Sequence, residues 1–347
     1  MKRFYLMCLS VFVGLAVVQT NTHGQEASST REIPPLRLIQ QIPLPNVIGR
    51  MDHFGVDVKR HRLIVSSLGN NTVEIVDVFA GRVIHTITGF NQPQGSVYVP
   101  ENDRILVANA GDGKVRLFDG TSFAFLNDIE FSSTDTDNIR YDSAAKRIYV
   151  GYGEDEGGAV GVIDSVTDKR LDGDYKTGGG HPESFQVESS GSKIFVNDPD
   201  AGDITLAIDK SSHAVSKWQL GGNRFNFPMA LDEGNHRLFV GTRRPSKLIV
   251  FDTQKGRLIA TLTCAGDTDD MFYDARRKRV YIIGGTGQIS VVQQRDPDHY
   301  ELIANIPSSI GARTGYYYST PDWDRIYVAV PAHAGQGAEL WVYETQD

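Results

Sequence analysis

The sequence predicts an all-β fold, a seven-bladed β-propeller with four-stranded antiparallel blades, and three observations predict it. First, an apolar triplet recurs at a near-constant step. It reads "LIV" at Leu63, "ILV" at Ile105, "IYV" at Ile148, "IFV" at Ile194, "LFV" at Leu238, "VYI" at Val280 and "IYV" at Ile326. The steps are 42, 43, 46, 44, 42 and 46 residues, and a period of about 40–45 is that of one propeller blade. Second, each triplet leads through a polar turn into another alternating run, from "TVEIVD" in the first unit to "ELWVYE" in the last. Such period-two alternation marks a half-buried strand. Third, the octets "DTDNIRYD" at Asp135 and "DTDDMFYD" at Asp267 nearly repeat one another 132 residues apart, three times 44.

The elements follow in chain order. Residues 1–24 read as a signal peptide, since Lys2 and Arg3 precede an apolar run from Phe4 to Val18 and small polar residues follow. That run is shorter than the roughly 20 residues of a membrane span. A periplasmic or secreted protein without a membrane span after cleavage is therefore expected. Residues 25–35 read as a flexible leader and 36–347 as the propeller. "LRLIQQIPLP", from Leu36 to Pro45, is a strand standing before the first unit, while the seventh unit stops one strand short at "ELWVYETQD". The N-terminal strand is thus expected to complete the last blade and close the ring, which removes the exposed sheet edges there. Within each unit the third strand commonly ends on an acid (Asp77, Asp119, Asp164, Asp209, Asp252). A carboxylate at that point accepts backbone N–H groups of the following turn.

Composition narrows the function. The formal charge is −8 and moves to −10 once Lys2 and Arg3 are removed. No basic stretch with interleaved aromatics is present, so a phosphate backbone is a poor partner and no nucleic acid is expected. Cys8 lies in the signal, leaving Cys264 alone. It reads as a small buried hydrophobe rather than a nucleophile.

The units resemble those of the YVTN family of β-propellers, the YncE-like group, related to lactonase-type seven-bladed propellers. The residues that carry the resemblance are "ILVANAGDGKVRLFD", "IYVGYGEDEGGAVGVID" and "LFVGTRRPSKLIVFD", over roughly residues 36–344. The resemblance implies the fold far more than a function, because propellers host binding proteins, scaffolds and enzymes alike.

The innermost strand of a propeller blade starts at the mouth of the central channel. Stepping back from each triplet gives the doublets Asp52-His53, Gln94-Gly95, Asp137-Asn138, Glu183-Ser184, Phe227-Pro228 (with Asn226 before it), Asp269-Asp270 and Arg313-Thr314. The octets are therefore two of seven strand entries, and the entries are expected to ring the channel with polar groups. Asp52, Asp137, Glu183, Asp269 and Asp270 would converge there with one clear cation, Arg313, and with His53 or His181 nearby. Converging carboxylates raise a pKa or invite a cation. Oxygen donors from Asp137, Asn138, Glu183 and Asp269, with Gln94 adding a carbonyl, suit Ca2+ better than zinc. A hydrated channel without a ligand explains a polar ring as well.

The loops between second and third strands are expected on the same face. They carry Asn70, Asn71, Asp112, Glu154 to Glu156, Asp198, Asp200, His333 and a basic sector, Arg243, Arg244 and Lys247. No G-x-S-x-G, H-E-x-x-H, Walker A loop or dinucleotide fingerprint occurs. The sequence leaves open whether the chain is an enzyme. Its first reading is an exported, monomeric binding protein that holds a small molecule, cation or protein partner at the acidic mouth. The alternative is a metal-dependent, lactonase-like hydrolase. Resemblance to gluconolactonase-type propellers would then give Glu183, Asn138 and Asp269 ligand roles, with His53 or His181 relaying a proton.

Overall fold

The structure, a computed structural model, describes residues 33–132, 134–153, 157–199, 204–320, 323–333 and 335–347. The signal segment and residues 25–32 of the leader lie outside the described residues, as do Glu154 to Glu156 and Asp200.

Seven four-stranded antiparallel sheets follow one another along the chain. Their innermost strands are Phe54–Asp57, Pro93–Val99, Thr136–Asp142, Ser184–Val187, Arg224–Asp232, Thr268–Asp274 and Gly315–Thr320. Each apolar triplet falls on the second strand of its sheet, buried on both sides as a strand between two neighbours must be. Buried residues form seven separate clusters, each drawing on two adjacent blades. Between the first and second blades, for example, Ile64, Val73 and Ile75 meet Tyr98, Ile105, Val107 and Phe118.

The ring closes as the strand count requires. Leu36–Leu44 pairs antiparallel with Ala338–Thr345, from Leu36 opposite Thr345 to Leu44 opposite Ala338. It buries Leu36, Ile42 and Leu44, joining both clusters that flank the seventh blade.

The acids that end the third strands cap turns. Oδ1 of Asp77 accepts from the N–H groups of Phe79 and Ala80 at 3.0 and 2.8 Å. Asp119, Asp164, Asp209 and Asp252 repeat the arrangement. A second set escaped the sequence reading. Asp57, Asp142 and Asp274 end innermost strands and cap the next turn in the same way, so the last acid of each octet is structural. Cys264 is buried in an apolar cluster, and burial pushes its thiol up to about 12. Among the described residues no helix is long and apolar enough to cross a membrane.

Candidate functional site

Successive residues of a regular strand point to opposite faces, so a doublet whose members both face the channel needs an interruption. Four innermost strands supply one. Their pairing register shifts between Pro93 and Ser96, Thr136 and Ile139, Asn226 and Met229, and Thr268 and Asp270. Each shift is a bulge at the doublet, and a bulge re-aims side chains. In the first and seventh blades the doublet precedes the strand, and in the fourth Glu183 precedes a regular strand that begins at Ser184.

The first member of every doublet, Asp52, Gln94, Asp137, Glu183, Phe227, Asp269 and Arg313, lines one cavity of about 350 Å³ at the mouth. Second members line a cavity of about 450 Å³ further along the axis, namely His53, Asn138, Ser184, Pro228 and Asp270. His53 and Asp269 border both. Gly95 takes no part in the lining, for a Cβ there would stand 2.6 Å from the carbonyl oxygen of Asp137. Only glycine lets the third blade come that close.

Three of the sequence expectations are corrected. Asn226 precedes its bulge, lies opposite Thr242 and is fully buried against the fourth blade, where its amide donates to the carbonyl of Ile204 at 2.9 Å. Arg313 is not the only cation at the mouth. Arg50 donates to Asp52 at 2.8 Å, and Arg243 donates to Asp269 at 2.6 Å. Arg313 pairs with the other oxygen of Asp269 at 3.0 Å and with Asp267 at 3.1 Å. Arg243 therefore leaves the solvated rim to which the sequence assigned it and turns inward, its guanidinium 3.5 Å from the Phe227 ring centroid. Arg244 stays outside, over Phe225 at 5.0 Å, and Lys247 donates to Thr263.

The octets can now be read residue by residue. Asp135 and Asp267, the first acids, adopt positive φ of 68° and 51° and turn toward cationic partners, His181 and Arg313. Thr136 ties neighbouring strands together, accepting from the Asn109 N–H and donating to the Lys114 carbonyl. Asp137 and Asp269 face the mouth, Asn138 and Asp270 the axial cavity.

His181 is held on both ring nitrogens. Nδ1 lies 2.5 Å from Asp135, and Nε2 lies 3.0 Å from Asp137 and 3.6 Å from Glu183. Burial opposes its charge, yet the bonds to Asp135 and Asp137 win and raise its pKa well above the ordinary value. His53 behaves alike: burial opposes the charge, but Asp270, 3.0 Å from Nδ1, and Asp52 outweigh it. Burial, helped by Asp137 and Asp269, pushes Glu183 up to about 8. Asp269 rises to about 6 because burial outweighs its two arginines.

Among the described residues one group has metal-ligand geometry. One donor atom each from Asp137, His181 and Glu183 lie within 4.8 Å of one another. Asp269, expected as a ligand, does not join it, while the Oδ1 of Asn138 is buried without a hydrogen-bond partner. The amide of Asn138 donates to the Glu183 carbonyl at 2.6 Å and faces His53 at 3.2 Å, and Asp269 is taken by arginine. With an imidazole in the set, the donors suit zinc or manganese better than calcium. His181 was legible in sequence only as a residue of "GGGHPESF". That its imidazole joins two blade entries depends on where the loop folds back. Arg50 and Arg140 were missed altogether, though Arg140 stands two residues after Asn138, on the same face of one strand.

No protein-family model matches the chain. Over 159 residues it is 25% identical to a Salmonella typhimurium protein named "Uncharacterized protein YncE" and 24% identical to its Salmonella typhi counterpart. The match spans 44% of this chain and 44% of each relative, less than half the length of either. Among solved structures, the chain is similar to a chain of Kuenenia stuttgartiensis hydrazine synthase, with a TM-score of 0.70 and 16% identity over 82% of this chain and 94% of that one. It is also similar to a chain of a mitotic checkpoint complex, with a TM-score of 0.74 and 12% identity over 96% and 100%. At these identities the structural matches speak for the fold alone.

Proposed function

We propose that this YncE-like seven-bladed propeller is a binding protein that admits a small molecule through its charged mouth into the axial cavity. The observation that carries the reading is the strand entry, which in five of the seven blades gives one residue to the mouth and the next to the cavity. A scaffold needs only the blade-to-blade cores, and a regular strand entry would serve those as well. Melting curves recorded with a panel of small organic acids, amines, sugars and divalent cations test the proposal. At least one class raises the melting temperature with the logarithm of its concentration, as binding to the native state alone requires. A flat response across the panel would refute it.

A specific observation favours a second reading, metal-assisted hydrolysis of an ester or lactone. The group Asp137, His181 and Glu183 fits a divalent cation, and Oδ1 of Asp137 is buried without a hydrogen-bond partner. Asp135 on Nδ1 fixes the imidazole so that Nε2 faces the carboxylates, the orientation that a carboxylate gives a metal-binding histidine. Bound there, the cation would polarise a carbonyl or lower the pKa of water. Zinc and manganese then raise the melting temperature of the chelator-treated protein, and His181→Ala abolishes the rise. Equal shifts with a sodium chloride control of matched ionic strength sink the metal reading without touching the first.

A further inference from the structure

Each arginine at the mouth has a carboxylate partner, whereas Arg140 has none. It lies on the innermost strand of the third blade and lines the axial cavity together with Gln186, Phe272 and Tyr316. Its Nη1 donates to the carbonyl of Ile139 at 2.9 Å, and the guanidinium sits 5.7 Å from the Phe185 ring centroid. Among the described residues, no carboxylate oxygen comes within ion-pair distance of it. The nearest candidate is already committed. Asp270 places Oδ1 3.0 Å from His53 and accepts from the Gly315 N–H at 2.8 Å with Oδ2. Asp269, the other acid on this cavity, is held by Arg243 and Arg313.

An arginine in a protein does not escape this position by losing its proton. Arg140 is half-buried against the cavity. Its charge is disfavoured by burial and left without a carboxylate among the described residues, and an unpaired charge in such a position favours an anionic partner. Tyr316 supplies a second donor. Its hydroxyl has no protein partner among the described residues, it lines the same cavity and it is close enough to sense the charge of Arg140. Because Asp270 is hydrogen-bonded to His53 and the Gly315 N–H, Arg140 is the cation on this cavity left without a carboxylate among the described residues. The remaining lining is largely apolar, with Val97, Met229 and Phe272 among it.

We propose that the axial cavity is a carboxylate site, in which Arg140 and Tyr316 bind the anionic end of a small ligand with a planar, apolar body. The proposal rests on the binding reading above and names its ligand class. A guanidinium fork matches a carboxylate with two parallel bonds, and such charge-assisted bonds are about twice as strong as neutral ones.

Calorimetric titration of the full chain with acetate, benzoate and 3-phenylpropionate, and with 3-phenylpropionamide as a neutral isostere, tests it. The aromatic acids bind more tightly than acetate, and the amide binds at least about tenfold more weakly than its acid. Arg140→Gln removes that difference while leaving the weak binding of the amide as it was, and Tyr316→Phe weakens the acid alone. The acid–amide comparison needs only the parent protein, so a variant that fails to fold does not shield the idea. Equal binding of acid and amide, or no binding of any acid, overturns it. A cationic or neutral ligand that binds parent and Arg140→Gln alike overturns the carboxylate assignment and leaves the binding reading standing.

Discussion

Removing residues 34–45 is expected to abolish cooperative folding rather than trim it. The deleted strand carries the whole outer ladder of the seventh blade, together with Leu36, Ile42 and Leu44, each almost fully buried. Burying one such side chain contributes about 1.5–3 kcal/mol, and a typical domain has only about 5–15 kcal/mol in total. Two of the seven cores would lose members at once, and Ala338–Thr345 would become an exposed edge of the kind that pairs with other chains. Calorimetry should show a broad, early and aggregating transition in place of one sharp endotherm. A truncated protein that melts within about two degrees of its parent, a shift expected only from a small change in stability, would mean that the ring does not depend on this strand.

The second large effect concerns charge at the mouth. Replacing Arg243 and Arg313 together by methionine leaves Asp269 buried without an ion-pair partner. Breaking a buried pair by removing one side typically costs about 3–5 kcal/mol. The pH dependence has a definite sign. Asp269 already has a folded pKa near 6, above its ordinary value of 3.8, and losing both arginines raises it further. A carboxylate whose folded pKa is raised holds its proton in the native state and gives it up on unfolding, so stability falls as pH rises through that window. The double variant should therefore be far less stable than its parent at pH 8 and approach it near pH 4, once the carboxyl is protonated. A deficit that does not change with pH would assign the loss to packing against Phe227 instead.

Much of this was legible from residues alone, and the limits have physical causes. The apolar triplets fix the blades because burial on both faces of a second strand leaves no freedom for polar residues. The strand from Leu36 was legible as the missing piece because an unpaired amphipathic strand beside an incomplete unit has one economical place. The doublets were found by counting back from the triplets, and all seven first members do reach the mouth. Counting fails at a bulge, where one residue decides the direction of a side chain. Asn226 was thus placed on the channel though it is buried against the neighbouring blade. It also fails for loops. Arg50 and His181 lie in connections whose course follows from tertiary packing, and Arg243 reads the same from sequence whether it points to solvent or to Asp269. Arg140 was overlooked for a different reason. In an innermost strand both faces are enclosed, so a charged residue looks like an ordinary exposed one until the cavity is seen.

The central claim is that the axial cavity receives ligand, and filling the cavity tests it most directly. Val97 lines the cavity from the second blade and is half-buried at the edge of the core between the second and third blades, so Val97→Trp would direct an indole from that edge into the cavity. The probe is 8-anilinonaphthalene-1-sulfonate, an aromatic anion whose fluorescence rises in apolar surroundings. The parent protein should show one saturable site, and Val97→Trp should lose it while melting at the parent's temperature. A Val97→Trp protein that melts as the parent does and still binds the dye with the parent's affinity and stoichiometry would contradict the account.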